Sequence, residues 1–263
     1  VAGQFSLGHA GFIAIGSYSG AILGKMMNGL PGLFAGMAVG VVISVIVAFL
    51  VGLPTLRLKG DYLAIATLGV AEIIRVAVTN MKITNGAAGI SGVPLTNTWT
   101  ITYIALVLTT ILILNYTFSS AGRATYAVLQ DEIAAESMGV QVTKYKILAF
   151  VLGAATASIG GTLSATTLGA VTPSDFTFMK SIDVLIIVVF GGIGSFTGSF
   201  VAAVLLGIIN LVLQPFGQLR MIIYAVALIL IMIFRPGGLL GTWEFKLGDF
   251  KFSKKKETKE SGK

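Results

Sequence analysis

The sequence predicts an all-α, polytopic integral membrane helix bundle of about eight membrane segments, with a Gly-rich broken helix near 191–198. Three observations predict it. Only 11% of the 263 residues are charged and 55% are hydrophobic, whereas soluble domains carry roughly 25% charged residues. Mean hydropathy is +0.92. Apolar stretches close to the about 20 residues that a helix needs to cross a bilayer recur along the chain. No soluble interior hides that much apolar surface, so a soluble globular domain, a disordered chain and a collagen-like fibre are excluded. The 33 glycines suit close helix packing in lipid.

The segments follow in order. Residues 10–28 are mostly apolar, with Lys25 near the end. Residues 32–53 hold no charge and stop at Pro54, which cannot continue a helical hydrogen-bond ladder. Residues 61–80 are apolar apart from Asp61 at the start and Glu72 and Arg75 inside. Residues 101–118 are clean, and 147–169 are clean but rich in Gly, Ala, Ser and Thr. From Val184 to Leu219 no charge falls, yet one helix of that length would run about 54 Å, too long for a span. Gly191, Gly192 and Gly194 lie within it, and glycines so dense disfavour helix. A short helix near 182–190, a break and a helix near 198–214 are therefore expected. Residues 220–235 complete the set, with end arginines able to snorkel.

Basic residues set the orientation. With the C-terminus cytoplasmic, eight crossings place Arg57, Lys59, Arg123, Lys144, Lys146, Arg235 and the tail lysines inside. Lys25, Lys82, Lys180 and Arg220 fall outside. Residues 1–242 read as a transmembrane permease domain and 243–263 as a basic cytoplasmic tail. The net charge of +7 is concentrated in that tail and indicates no nucleic-acid partner; the surrounding partner is the lipid bilayer. The opening shows no signal peptide and reads either as cut into a longer sequence, with one or more helices ahead of it, or as an unusual start. Gly32, Gly36 and Gly40 recur every four residues, as do Gly153, Ala157 and Gly161, which lets helix backbones approach closely.

Several chemistries are absent. There is no cysteine, and the single histidine, His9, cannot build a zinc site, which takes about three or more protein ligands. No metal site and no cofactor is read. No phosphate-binding Gly-x4-Gly-Lys-Ser/Thr loop occurs; Gly20 to Lys25 is one residue short. Any nucleotide hydrolysis belongs to another chain.

The longest polar interruption, 119–146, is cytoplasmic by the charge argument. Asp131 to Met138 favours a short helix, with acids in the first turn where the helix dipole favours them and Gly139 placed to end it. Ile133 and Met138 have no long partner in the loop to bury them, which suggests docking on another protein. Ala134-Ala135, then Glu136-Ser137-Met138, then Gly139 resembles the Glu-Ala-Ala-x3-Gly coupling segment of bacterial ABC importer permeases, with Ile133 in the glutamate position and Glu132 one residue early.

Further motifs extend the resemblance over about 1–242. They are Gly3-Gln4-Phe5-Ser6-Leu7-Gly8-His9, Gly60-Asp61-Tyr62-Leu63-Ala64, Thr84-Asn85-Gly86, Gly89-Ile90-Ser91-Gly92-Val93-Pro94, Gly191-Gly192-Ile193-Gly194-Ser195 and Arg235-Pro236-Gly237-Gly238. Together they resemble the permease subunits of branched-chain amino-acid ABC importers, in particular the M-type of the H/M pair. The resemblance implies a second permease subunit, related but different, two cytoplasmic ATPase subunits and an external substrate-binding protein. It implies that Arg123, Asp131, Glu132, Ala134, Ala135, Glu136 and Gly139 engage the ATPase. The chain itself is then no enzyme.

The translocation path is sought among the polar residues of the spans. Glu72 and Arg75, three apart, share a helix face and are expected to face the protein interior or a wet cavity, lining the path or tying helices together. Asp183, before the break at Gly191 and Gly194, is a second candidate, because broken helices present dipole ends to substrates; a tight cytoplasmic turn is the alternative. His9 and Tyr18 are either path or packing residues. The 80–100 loop is a candidate surface for the binding protein. Two other functions fit the same pattern: a permease for urea or short amides, and an ion-coupled secondary carrier. A membrane enzyme lacks a nucleophile–base–orienter set.

Overall fold

The computed structural model describes residues 3–213 except 5, 28, 57, 59 and 193, together with 215, 226 and 229. Arg57, Lys59, Arg220, Arg235, the tail 243–263 and nearly all of the expected 220–235 segment lie outside the described residues. The chain divides into two compact units, 1–185 and 186–263.

The first unit is helical throughout its spans. It contains α1 (His9–Met26), α2 (Leu30–Thr55), α3 (Asp61–Asn80), α4 (Trp99–Phe118), α5 (Ser120–Gln130), α6 (Glu132–Ser137) and α7 (Val142–Leu168). α8 (Phe178–Gly191) begins in this unit, and α9 (Phe196–Leu213) belongs to the second. Five described helices, α2, α3, α4, α7 and α9, are long and apolar enough to cross a membrane. α1 and the 14-residue α8 do not meet that standard. α1 has a physical reason: most of its residues are buried, and those are largely Gly, Ala and Ser, which allow close packing but lower the hydropathy of the helix.

Some expected boundaries move. α2 runs to Thr55 and carries Pro54 inside its last turn. Proline leaves the Leu50 carbonyl without its helical donor, but Thr55 Oγ1 donates to Val51 O at 2.8 Å and the helix survives one residue further. α7 starts at Val142 rather than near 147, so Lys144 and Lys146 are helical. The stretch 120–130, given no element by the sequence, is α5. Its buried positions Gly122, Thr125 and Val128 recur at the spacing of one helix face.

The core of the first unit is the contact of α1 with α2 and α7. Lipid tails are as apolar as leucine, so close contact and interhelical hydrogen bonds must hold such helices together. Glycine supplies the contact. A Cβ on Gly16 would fall 2.0 Å from Ser158 O, one on Gly161 2.1 Å from Ile13 O, and one on Gly36 2.7 Å from Gly20 Cα. Hydroxyls supply the bonds. Ser17 Oγ donates to Gly161 O and Thr162 Oγ1 to Gly16 O, each at 2.9 Å. Gly153 is looser; a Cβ there would meet only His9 Nε2, at 3.6 Å.

A two-stranded antiparallel ladder links the loops at one end of this unit. β1 (Ile90–Ser91) pairs with β2 (Ala170–Val171), Ile90 opposite Val171. Gly89 (φ 73°) permits it, since a Cβ there would lie 2.2 Å from Val171 O. Lys25 Nζ donates to Ser91 O at 3.0 Å, and Asn97 Nδ2 to Thr167 Oγ1 at 2.7 Å. The C-terminal end of α1, the loop after α3, the start of α4 and the end of α7 thus share one end.

Candidate functional site

The polar segment after α4 folds into a platform. Ser119 caps α5, its Oγ accepting from Gly122 N at 3.2 Å. Only glycine fits at 122, where a Cβ would lie 2.2 Å from Tyr116 O. Tyr116 Oη bonds Thr125 Oγ1 at 2.6 Å, which fixes α5 against the end of α4. Arg123 is exposed and its Nη1 donates to Phe118 O at 3.1 Å, capping α4.

α6 is shorter than the expected 131–138 helix. Asp131 is its N-cap, with Oδ1 accepting from Ile133 N at 2.8 Å and Ala134 N at 3.1 Å; such caps stabilise by about 1 kcal/mol. Gly139 follows the helix in the left-handed region, at φ 81°, a conformation that favours glycine. The expected coupling residues therefore divide by role. Asp131 holds the helix start. Glu132 pairs with Lys146 of α7, which is buried. Ala135 is the buried residue of α6. Ala134, Glu136 and Gly139 face outward. So do Ile133, 74% exposed, and Met138, 84% exposed. Beside α6 lies a cavity of about 720 Å³ between Phe49 of α2, Glu136, and Lys144, Ile147 and Leu148 of α7. The sequence did not mark Lys146 as the anchor of α6; its signal was a lysine one helical turn into the following span.

The polar residues of the spans do not converge on one site. His9 opens α1 within the bundle, beside Gly153 of α7. The backbone donors around it are met by neighbouring helices: Leu7 N donates to Thr67 Oγ1 at 3.0 Å and Ala10 N to Ser181 Oγ at 2.9 Å. A helix start buried among other helices demands such partners. Tyr18 is 3% exposed and packs in an apolar cluster with Val78, Ile90 and Val171, its ring 6.1 Å from that of Phe176. Asp183 is exposed on α8. Nearby Asp175 instead closes a capping box with Thr172.

Glu72 and Arg75 form their ion pair within α3. Arg75 Nε donates to Glu72 Oε1 at 3.0 Å and Oε2 at 2.9 Å, and Nη2 also reaches Oε1. Their side chains are 47% and 29% exposed. The pair neither faces the interior of this unit nor ties α3 to another helix among the described residues. A charge at mid-membrane costs roughly 2.5–3.5 kcal/mol on insertion scales, so hydrocarbon is an unfavourable neighbour for this pair.

In the second unit, Gly191 and Gly198 touch through their backbones; a Cβ on Gly191 would lie 2.5 Å from Gly198 O. Gly192 and Gly194 take φ of 116° and 97°. Ser195 Oγ accepts from Gly198 N at 2.9 Å and caps α9. Phe190, Ala202 and Leu206 form the adjoining core. Gly194 has nothing within 4 Å of its Cβ position.

Membrane-length apolar helices, locked through glycine and bearing a capped polar platform at one end, define a multi-pass membrane protein. The chain matches the profile of the branched-chain amino acid transport system permease component over residues 1–234 and belongs to that family. It is 36% identical to the high-affinity branched-chain amino acid transport system permease protein LivM of Salmonella typhimurium, over 91% of this chain and 64% of that protein. It is 35% identical to LivM of Escherichia coli over the same shares. To the permease protein LivH of Escherichia coli it is 30% identical over 54% of this chain and 46% of that one. The chain thus spans 64% of the LivM relatives' length. No solved structure matches it.

Proposed function

We propose that this chain is a membrane-spanning permease subunit of an ATP-driven importer for branched-chain amino acids delivered by an external binding protein. It pairs with a related but different permease and rests on two cytoplasmic ATPases. The observation that carries this reading is the family match across 1–234, joined to a longer and stronger likeness to LivM than to LivH. The chain performs no covalent chemistry of its own.

The α5–α6 platform is the ATPase-coupling surface in this reading. Its outward residues, Ile133, Glu136 and Met138, offer two apolar contacts around a carboxylate, and the cavity beside Glu136 gives an incoming side chain a place to insert. Arg123, Asp131 and Glu132 act indirectly, by fixing α5 and α6. The C-terminus and platform are cytoplasmic, supported by the bias of basic residues toward that side. About eight segments cross or enter the membrane, with the 191–198 break between two of them. Glu72, Arg75, His9, Tyr18 and Asp183 are the polar residues available to the path.

The test uses the complex reconstituted in vesicles. Radiolabelled leucine uptake should require ATP and the binding protein, and urea should not be taken up. Uptake that collapses with a protonophore but ignores ATP depletion would overturn the reading in favour of a secondary carrier. Replacing 131–136 with Ser and Gly should abolish copurification with the ATPases; retained copurification removes the coupling role.

A further inference from the structure

Lys146 is oddly placed for a lysine. It lies in the second turn of α7 and is 8% exposed, although lysine is almost never fully buried unless paired. Its ammonium bonds the Glu132 carboxylate of α6, 14 residues back. Lys144, two residues earlier on the same helix, is exposed. A pair made with a solvent-edge lysine would hold α6 with little desolvation, whereas burying an ion pair costs desolvation that its attraction only partly offsets. Anchoring alone therefore does not account for a buried cation under α6.

The position of Lys146 on α7 does account for it. Lys146, Phe150, Ala154, Ser158 and Thr162 are all buried, and four-residue steps make each a neighbour of the next. Apart from Lys146, this row meets α1 at successive heights. The Phe150 ring packs edge-on against Phe12, with centroids 5.6 Å apart, and Ala154 lies in the same cluster. A Cβ on Gly16 would fall 2.0 Å from Ser158 O, and Thr162 Oγ1 donates to Gly16 O at 2.9 Å. α1 in turn meets α3 and α8 at its start, through Thr67 and Ser181. Close-packed interiors transmit strain. A push on α6 thus reaches a buried row that is locked to α1 by backbone contact and a hydroxyl bond, whereas a push on an exposed lysine would end at the solvent edge.

We infer that Lys146 is a positioning residue that carries displacement of α6 into α7 and, through the Phe150–Phe12 contact and the Gly16 contacts, into α1. This rests on the proposed role of the α5–α6 platform as the ATPase-coupling surface.

The test uses the complete complex in vesicles and measures ATP hydrolysed, radiolabelled leucine taken up and copurification of the ATPases. Lys146→Met keeps the length of the side chain and removes the charge. It should leave the ATPases bound and hydrolysing while uptake falls about tenfold, within the usual range for coupling between two sites, so that more ATP is spent per leucine. Exchanging the charges, Glu132→Lys with Lys146→Glu, should bring that ratio back toward the wild-type value. A merely structural pair would lower hydrolysis and uptake together. The assignment is overturned by an unchanged ratio in Lys146→Met, by loss of the ATPases from that variant, or by an exchange variant that assembles yet stays as uncoupled as Lys146→Met. If the wild-type complex takes up no leucine on ATP, the importer reading itself fails; if it does and the ratio is unmoved by Lys146→Met, only the role of Lys146 fails.

Discussion

Glycine decides which residues of this protein are irreplaceable for packing, and neighbouring glycines differ sharply. Gly161 is held so close to α1 that a Cβ would lie 2.1 Å from Ile13 O, while Gly160 has nothing within 4 Å. Gly161→Ala should destabilise by about 1–3 kcal/mol through overpacking, read as a lowered melting point in detergent. Gly160→Ala should be neutral or up to about 1 kcal/mol stabilising, since alanine is the better helix former. Equal shifts would refute the α1–α7 contact. The sequence signalled the α2 half of this packing through Gly32, Gly36 and Gly40, all buried. It carries the α1 half as well, in Gly16, Gly20 and Gly24 at the same spacing. Glu72 and Arg75 were legible as neighbours on one face, because helical spacing alone fixes that. Which way the face points was not legible, because it depends on where α1 lies.

At the scale of elements, α6 is held by its ends and by the Glu132–Lys146 ion pair rather than by length. A six-residue helix is far below what is stable alone in water. Asp131 caps it and Glu132 ties it to Lys146, which is 8% exposed. Glu132→Gln leaves that ammonium without its carboxylate and should loosen α6 by about 1–3 kcal/mol. The measurement is limited proteolysis across 131–141, which should quicken. Glu136→Gln, whose carboxylate faces outward, should leave the cleavage rate unchanged; a slower or equal rate for Glu132→Gln would refute the anchoring. The helix itself was legible through its acidic first turn and Gly139. Its docking was not, since the partner lies on the next span. The ladder between Ile90–Ser91 and Ala170–Val171 was equally hidden, because two-residue strands leave no periodicity to read.

Across the whole first unit, the two ends are separated by α4, whose 20 residues span about 30 Å. One end holds Lys25, the 81–98 loop and β2; the other holds α5, α6 and the start of α7. The proposed orientation makes the first end external. Leu95→Cys, at a position 71% exposed, should react with an impermeant maleimide in intact cells, and Ile133→Cys, at one 74% exposed, only after permeabilisation. The reverse pattern would invert the topology and remove the coupling surface from the ATPase side. By itself the sequence determined the apolar surroundings, the family and the polar stretch, 119–146, within which the platform forms. Charge scarcity and hydropathy are sums over residues, and motifs are local strings, so neither needs a fold to be read. Only the tertiary structure decided that α1 is the central helix, that Glu132 is tied down while Glu136 is exposed, and that the Glu72–Arg75 pair looks out of its own unit. In a bilayer the sides facing lipid and the sides facing protein are both apolar. The inside-to-outside contrast that orients helices in water is therefore missing, and shape, not polarity, selects the partner of each face.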